Sequence, residues 1–183
     1  MRWIDKRFAE LSLLELYAIL SLRQQVFVVE QACAFLDADG CDPLCDHLWA
    51  EDSAVAQPAT PAAARAASPK ASSGAAGAAG ALPPVPATGG ILAYLRILPA
   101  LPDEVRIGRV VIAPAARGTG LGLKLMQRGL ALARARYGPL PVRIGAQAHL
   151  ERFYSRLGFV RASDNYDEDG IPHLTMLLPP GVA

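Results

Sequence analysis

The sequence predicts an α/β fold, on three observations. Residues 105–112 form the most strand-like segment of the chain and lead directly into a glycine-rich turn. Apolar side chains then recur at helical spacing from Leu121 to Ala133, before Gly138 and Pro139 end the helix. Further strand-like segments precede and follow this unit. Strands and helices that alternate in this way are typical of α/β proteins.

The first predicted element is a helix that begins at a capping box. Ser12 and Glu15 have the spacing of that motif, and apolar residues follow at helical intervals to about Val29. Residues 37–46 are dense in Asp, Gly and Pro, which indicates a loop, and residues 47–51 then alternate like a short strand. A helix and a polar loop therefore precede the first predicted strand.

A low-complexity segment over about residues 53–89 separates two predicted strands. It consists almost wholly of Ala, Pro, Gly, Ser and Thr and contains no aromatic residue, so it cannot bury enough apolar surface to offset the entropy of ordering the chain. We predict a disordered insertion. Long insertions between paired strands cost little free energy, and the whole chain, residues 1–183, is therefore predicted to form one domain.

The rest of the chain is predicted to alternate strands and helices. The insertion is followed by a strand over 91–98, a break at Pro99 and Pro102, and the strand over 105–112. The later predicted elements are the helix from about 121 to 138, strands over 141–147, 159–162 and 173–178, and a short helix over 150–157 closed by Gly158.

Charge and hydropathy exclude several classes of function. The formal net charge is +1, so no long-range field would gather nucleic acid or an anionic membrane surface. The apolar fraction of 52% is raised by alanine, and no apolar run reaches the roughly 18 residues that a membrane span requires. We expect a cytoplasmic protein without nucleic-acid or membrane partners, either a monomer or a homodimer.

The cysteines do not predict a metal site. Cys33, Cys41, Cys45 and His47 lie close in sequence, but none of the cysteines forms a C-x2-C pair and acidic residues interrupt the group. An odd number of cysteines also argues against a disulfide framework. We predict reduced thiols and no metal.

The glycine-rich turn is the most informative motif of the chain. Backbone N–H groups at the start of a helix suit a pyrophosphate, although glycines at Gly118, Gly120 and Gly122 could also simply close a tight turn. Their G-x-G-x-G spacing does not match the dinucleotide-binding pattern, since Leu123 stands at the third glycine position. Lys124 has neither the glycine before it nor the Ser or Thr after it that a nucleoside-triphosphate loop requires.

Two motifs in order resemble the GNAT acetyltransferase superfamily. Arg117, Gly120 and Gly122 match its acetyl-coenzyme A signature R-x-x-G-x-G, and residues 153–159, which contain Tyr154 and a Gly-Phe pair, look like its second cofactor-side element. Segments spread over nearly the whole chain outside the insertion narrow the resemblance to the ElaA-like branch; they are residues 26–31, 37–40, 107–110, 145–149 and 168–173. The resemblance implies a GNAT-like fold, in which a mixed central sheet is flanked by helices and its strands splay at the cofactor site.

The resemblance also implies an activity and a cofactor site. It implies transfer of an acetyl group from acetyl-coenzyme A to a primary amine by direct attack in a ternary complex. Backbone N–H groups of Val110 and Val111 would face the thioester, and Tyr154 would protonate the leaving thiolate, unless its ring is simply packed on the sheet. The residues expected to hold the cofactor are Val110, Val111, Ile112, Arg117, Gly118, Thr119, Gly120, Leu121, Gly122 and Tyr154.

The general base and the acceptor site are less defined. Glu30 and His149 are both candidates for the base, because an amine is mostly protonated at neutral pH. Glu30, Asp37 and Asp39 follow the first helix, in a region where their charge would attract an ammonium group, and His173, with Glu168, could shape the acceptor pocket. Each of them could instead be a solvated or structural residue. A coenzyme A sensor without turnover, or a binding module that docks through the Ala/Pro segment, remains the alternative.

Overall fold

The computed structural model describes residues 1–53, 90–101 and 103–181. The predicted insertion lies outside these residues, apart from Ser53. Within them the chain forms one mixed sheet whose strands are β1 (Arg2–Arg7), β2 (Asp46–Glu51), β3 (Ile91–Leu101), β4 (Glu104–Ile112), β5 (Val142–Gln147), β6 (Val160–Arg161), β7 (Tyr166–Glu168) and β8 (Ile171–Leu178). The helices are α1 (Leu13–Arg23), α2 (Leu121–Tyr137) and α3 (Glu151–Ser155).

The strand order is β1-β2-β3-β4-β5-β8-β6, and β7 pairs with β8 outside this path. Strands β4 and β5 run parallel, and every other neighbouring pair is antiparallel. The predicted mixed sheet flanked by helices is therefore confirmed. The parallel pair at its centre is joined by the crossover helix α2, as parallel strands require.

Helices α1 and α2 lie on opposite faces of the sheet, and α2 packs closely against β3 at Gly129. A Cβ atom on Gly129 would come within 2.7 Å of Leu95 Cδ2, so any side chain at this position of α2 would require the buried Leu95 to move. The neighbouring residue Tyr94 points to the other face, where the Arg23 guanidinium of α1 lies 5.8 Å from its ring centroid. Leu95 and Tyr94 are both fully buried, so each face carries part of the core.

Three local predictions differ from the structure. Strand β1 was not predicted, because its charged residues hide its alternation; it is an edge strand paired antiparallel with β2, and Arg2 faces Glu51. Strand β7 was also missed. The regular part of the first helix ends at Arg23 rather than near Val29, because a π-helical segment, Gln24–Glu30, follows it.

Candidate active site

Strands β4 and β5 separate soon after they begin to pair. Val105 pairs with Val142 and Arg106 with Arg143, and these are the parallel pairs that join the two strands. Beyond them β4 continues to Ile112 and β5 to Gln147 without further pairing to each other. The facing edges of the two strands therefore offer backbone N–H and C=O groups to a ligand.

A β-bulge in β4 lies beside this opening. Tyr94 pairs with Val111 and Arg96 with Gly108, so Arg109 and Val110 together oppose one residue of β3. Arg109 has φ of 51°, in the left-handed region that favours glycine. Such a conformation costs about 1–3 kcal/mol in a residue with a side chain and persists where surrounding contacts hold it. The bulge reorients the backbone of Val110 at the edge that β5 leaves open.

The Arg109 side chain is anchored by the loop after the π-helical segment. Its Nε donates to Asp37 Oδ1 at 2.8 Å and its Nη2 to Asp39 Oδ2 at 3.1 Å. Its guanidinium also lies 5.3 Å from the ring centroid of Phe35. The loop therefore holds the bulge through three contacts with one side chain. Neither Arg109 nor Phe35 was singled out from the sequence, because no local pattern shows a bulge or its anchor.

The predicted acceptor-binding carboxylates, Asp37 and Asp39, are engaged in an ionic cluster. Asp37, which is 5% exposed, also accepts from Arg23 Nε at 2.9 Å, and Asp39 accepts from Arg96 Nη1 at 2.8 Å. The hydrogen bond from Arg96 lowers the pKa of Asp39 well below its usual value, against a smaller opposing effect of burial. Both carboxylates thus balance arginines of the fold, which leaves them little charge to offer an ammonium group.

The glycine turn is built to accept an anion. Gly118 and Gly120 have φ of 75° and 78°, and Gly120 caps α2 without a side-chain hydrogen bond at that helix end. Thr119 Oγ1 donates to the Ala116 carbonyl at 2.8 Å, which holds the turn closed. The first N–H groups of α2 therefore point outward at the positive end of the helix dipole, where a pyrophosphate fits. The turn follows the C-terminal end of β4, on the side where the strands are open.

Arg117 of this turn binds the candidate base Glu30. Arg117 Nη1 lies 2.6 Å from Glu30 Oε1, and Nη2 lies 2.9 Å from Oε2, a bidentate geometry. Arg117 Nε also donates to the Ile112 carbonyl at 3.3 Å. Both side chains are exposed, and the hydrogen bond from Arg117 lowers the pKa of Glu30. In this arrangement Glu30 is a weak base.

Tyr154 lies on α3 with its ring packed between two phenylalanines. Its ring centroid is 5.0 Å from that of Phe153 and 5.9 Å from that of Phe159, in edge-to-face geometry. The residue is 5% exposed, and burial raises the pKa of Tyr154 to about 12. The hydroxyl therefore remains protonated at neutral pH and is able to donate a proton.

The two remaining histidine candidates lie across the opening from the glycine turn, at the C-terminal end of β5. His149 is exposed on the short turn between β5 and α3. His173 is on β8, opposite Gln147 of β5, and its Nδ1 donates to the Ile171 carbonyl at 2.8 Å. Its ring stacks on the ring of Tyr166, with 6.1 Å between the two centroids. Glu168 is exposed on β7. The sheet thus brings His149 and His173 to the same strand ends without a direct contact between them.

A cavity of about 340 Å³ lies over the point where β4 and β5 part. Glycines and two basic side chains line it together with residues of β7 and β8; the full lining is Leu98, Arg106, Ile107, Gly108, Arg143, Ile144, Gly145, Tyr166 and Thr175. The sequence did not single out Arg106, Arg143 or Tyr166. The register of β4 on β5 brings the two arginines together, and register is not visible in either strand alone.

The cysteine-rich segment has a structural role. Cys45 Sγ lies 3.1 Å from the Cys41 carbonyl, and burial raises the pKa of the Cys45 thiol. His47 is buried, and its ring nitrogens lie 2.8 Å from the Tyr94 hydroxyl and 3.0 Å from the Asp42 carbonyl. Among the described residues no group of His, Cys, Asp and Glu side chains is placed to hold a metal ion. No helix in the same residues is long and apolar enough to cross a membrane.

A family profile, a bacterial protein and two crystal structures are similar to this chain. A profile of the acetyltransferase (GNAT) domain matches residues 91–179. Protein ElaA of Escherichia coli K12 is 36% identical over 182 residues, which are 96% of this chain and 95% of that protein. The crystal structure of an acyl-CoA N-acyltransferase from Pseudomonas aeruginosa superposes with a TM-score of 0.74 at 38% identity, over 97% of this chain and 99% of that one. The crystal structure of E. coli ElaA gives a TM-score of 0.74 at 34% identity, with the same coverage.

The parted strands, the bulge and the uncapped glycine turn define an acyltransferase of the acyl-CoA N-acyltransferase fold. The solved relatives share that fold at more than 30% identity over almost the whole chain. The chain belongs to the ElaA-like branch of the GNAT acetyltransferases.

Proposed function

We propose that this protein is an N-acetyltransferase that moves an acetyl group from acetyl-coenzyme A to a primary amine, by direct attack in a ternary complex. The observation that carries the proposal is the alignment of three features along β4. The strand parts from β5 after Arg106, bulges at Arg109 and ends in the uncapped turn before α2. This order offers an anion site at one end and backbone donors at the other, as an acyl-coenzyme A requires.

In the proposal, the turn residues and β4 hold the cosubstrate. The N–H groups of Gly118 to Gly122 bind the pyrophosphate, with Arg117 as a nearby positive charge. The backbone of Val110, Val111 and Ile112 pairs with the pantetheine arm, and an N–H group beside the bulge polarises the thioester carbonyl. One such donor is typically worth about 3 kcal/mol in the transition state.

Tyr154 supplies the proton that the reaction needs at the sulfur. The amine nitrogen forms a bond to the carbonyl carbon, the carbon–sulfur bond breaks with its electron pair on sulfur, and Tyr154 donates its proton to the thiolate. Its hydroxyl is protonated at neutral pH, as a proton donor must be. The proton lost by the amine goes to a base at the open strand ends.

We assign this base to His149 rather than to Glu30. His149 is exposed at the end of β5, and imidazole is the commonest general base in proteins. Glu30 is already bound by Arg117 and is a weak base in that pair. Asp37 and Asp39 then act through Arg109, by holding the bulge, and His173 orients the wall formed by Tyr166.

The proposal extends to the cellular location, the partner and the oligomeric state of the protein. We place the reaction in the cytoplasm, where the Cys33, Cys41 and Cys45 thiols stay reduced. The balanced net charge favours a small or protein-borne amine over nucleic acid as the partner. The protein would act as a monomer or a homodimer.

The test is release of coenzyme A thiol when wild-type protein is mixed with acetyl-coenzyme A and a panel of amines, with product identified by mass spectrometry. Amine-dependent release with an acetylated product supports the proposal. If the protein binds acetyl-coenzyme A and acetylates no amine of the panel, it is a coenzyme A sensor instead.

A further inference from the structure

The cavity at the point where β4 and β5 separate carries unbalanced positive charge on its walls. Arg106 and Arg143 both lie on its lining, and among the described residues both are paired with the same carboxylate, Glu104. Arg143 Nε lies 2.6 Å and 2.8 Å from the two oxygens of Glu104, and Arg106 Nε lies 3.1 Å from one of them. These two guanidinium groups and the Glu104 carboxylate together carry a net charge of +1.

The two arginines also share one face of the sheet. They are direct register partners in the parallel pair, so their side chains leave the sheet in the same direction. Gly108 and Gly145, the next residues toward the opening on that face, form the floor beside them. A Cβ atom on Gly145 would lie 3.2 Å from the Tyr166 hydroxyl, so a side chain here would fill space that the cavity now provides.

This charge is remote from the anion site of the glycine turn. Arg106 precedes Ile112, the last residue of β4, by six positions on the same strand. At the usual rise of a strand, this separation is about 20 Å. The positive charge in the cavity therefore does not serve the pyrophosphate that the turn would hold, and both arginine side chains are exposed enough to meet a different anionic group.

We propose that the amine acceptor carries a carboxylate, and that Arg106 and Arg143 bind it. The inference rests on the proposed function and names the substrate class of its acceptor site. Arg106 and the bulge residue Val110 are four positions apart, or about 13 Å along the strand, and an arginine side chain spans part of that distance. The amine and the carboxylate are therefore separated by several bonds, as in a short peptide or an ω-amino acid. A polyamine, which carries positive charge only, is repelled by the same wall.

The experiment compares acceptors that differ in one group. Glycylglycine and 5-aminopentanoate are each assayed beside their carboxamides, with spermidine as the polycation. We expect kcat/KM to be about 10- to 100-fold higher for the acids than for the amides, because a paired guanidinium–carboxylate contact is lost in the amide. Equal values for acids and amides, no turnover of either member of any pair, or a preference for spermidine would overturn the inference.

Two variants test the residues. Arg143→Gln should raise KM for the acids about tenfold and leave the amides unchanged. Glu104→Gln should act in the opposite direction and lower KM for the acids, because it releases both arginines from their shared partner. Arg128→Gln, on α2 at the other face, where it stacks on Trp3, is the matched control and should change neither. Parallel changes for acids and amides in either variant would contradict the assignment.

Binding of acetyl-coenzyme A, measured by calorimetry on the same variants, separates this inference from the proposed function. We expect its Kd to stay within about twofold of wild type, since the two arginines lie some 20 Å from the turn. If wild-type protein fails to bind acetyl-coenzyme A, the proposed function fails. Acetylation of carboxylate-free amines alone would overturn only the inference on acceptor class.

Discussion

Arg117 and Glu30 form a bidentate ion pair across the mouth of the glycine turn, with oxygen–nitrogen distances of 2.6 Å and 2.9 Å. The pair joins the turn that would bind pyrophosphate to the end of the π-helical segment. A phosphate that bound at the turn would compete with the Glu30 carboxylate for the same guanidinium. The pair would therefore couple the proposed cosubstrate site to the proposed acceptor side of the protein.

The first prediction follows from this competition. Glu30→Gln should tighten binding of coenzyme A about two- to fivefold, because an exposed ion pair is weak and Arg117 no longer has to exchange partners. Isothermal titration calorimetry at low and high salt measures the effect, which should shrink at high salt. The control is Asp5→Asn, which removes the pair with Arg136 near the C-terminal end of α2, the helix end opposite the glycine turn. A Kd that rises in Glu30→Gln would show that Glu30 helps to hold the cosubstrate.

The second prediction concerns the left-handed conformation of Arg109. Arg109→Ala and Arg109→Gly both remove the contacts to Asp37, Asp39 and Phe35, but only alanine keeps a Cβ at φ of 51°. The free energy of unfolding should therefore be about 1 kcal/mol higher for the glycine variant than for the alanine variant, although glycine makes the unfolded chain more flexible. Urea unfolding of both proteins measures the difference. An alanine variant as stable as the glycine variant would contradict a strained bulge.

The third prediction is a pH dependence of stability. Because the pKa of Asp39 is lowered in the folded protein, its ion pairs stabilise the fold above the pKa of about 4 that the residue has in the unfolded chain, and this stabilisation is lost as the pH falls through the folded-state pKa. Asp39→Asn should lower the free energy of unfolding by about 1–2 kcal/mol at pH 7. Its difference from wild type should shrink below about pH 4. Asp164→Asn, at an exposed carboxylate, is the control, and a difference that is constant with pH would argue against the ion pairs.

The fourth prediction separates chemistry from binding at Tyr154. Tyr154→Phe should lower kcat about 10²- to 10⁴-fold and leave the Kd of acetyl-coenzyme A nearly unchanged, because a proton donor is lost and the packed ring remains. Since burial raises the pKa of Tyr154 to about 12, wild-type kcat should show no loss of this acid between pH 7 and 9. Steady-state kinetics with the exposed Tyr17→Phe as control measure both effects. An unchanged kcat would reduce Tyr154 to a packing residue.

The sequence was informative where function depends on local motifs. The turn around Gly120 and the position of Tyr154 follow from short patterns, and so do the strands that flank them. The local pattern of Val105 to Ile112 identified β4 but not its bulge, since φ at Arg109 is set by contacts with a loop about 70 residues earlier in the chain.

The acceptor side could not be predicted because it depends on long-range pairing. Asp37 and Asp39 read as loop carboxylates available to a ligand, and only the fold shows that Arg23, Arg96 and Arg109 neutralise them. Arg106 and Arg143 are ordinary strand residues until the register of β4 on β5 places them side by side. A charged residue in a sequence does not reveal its ion-pair partner, and that partner decides whether the charge is available to a ligand.

The most direct test of the account is calorimetric titration of wild-type protein, Gly120→Glu and Gly138→Glu with acetyl-coenzyme A. Both glycines have φ near 80° at opposite ends of α2, and a Cβ at either meets no atom within 4 Å. Their ψ angles are 4° at Gly120 and −168° at Gly138, so the control carries the same added charge and at least as much backbone strain. The account predicts one-site binding to wild type, at least a roughly tenfold loss of affinity in Gly120→Glu, and little change in Gly138→Glu. Equal binding by all three proteins, or none by wild type, would contradict a cosubstrate site at the glycine turn.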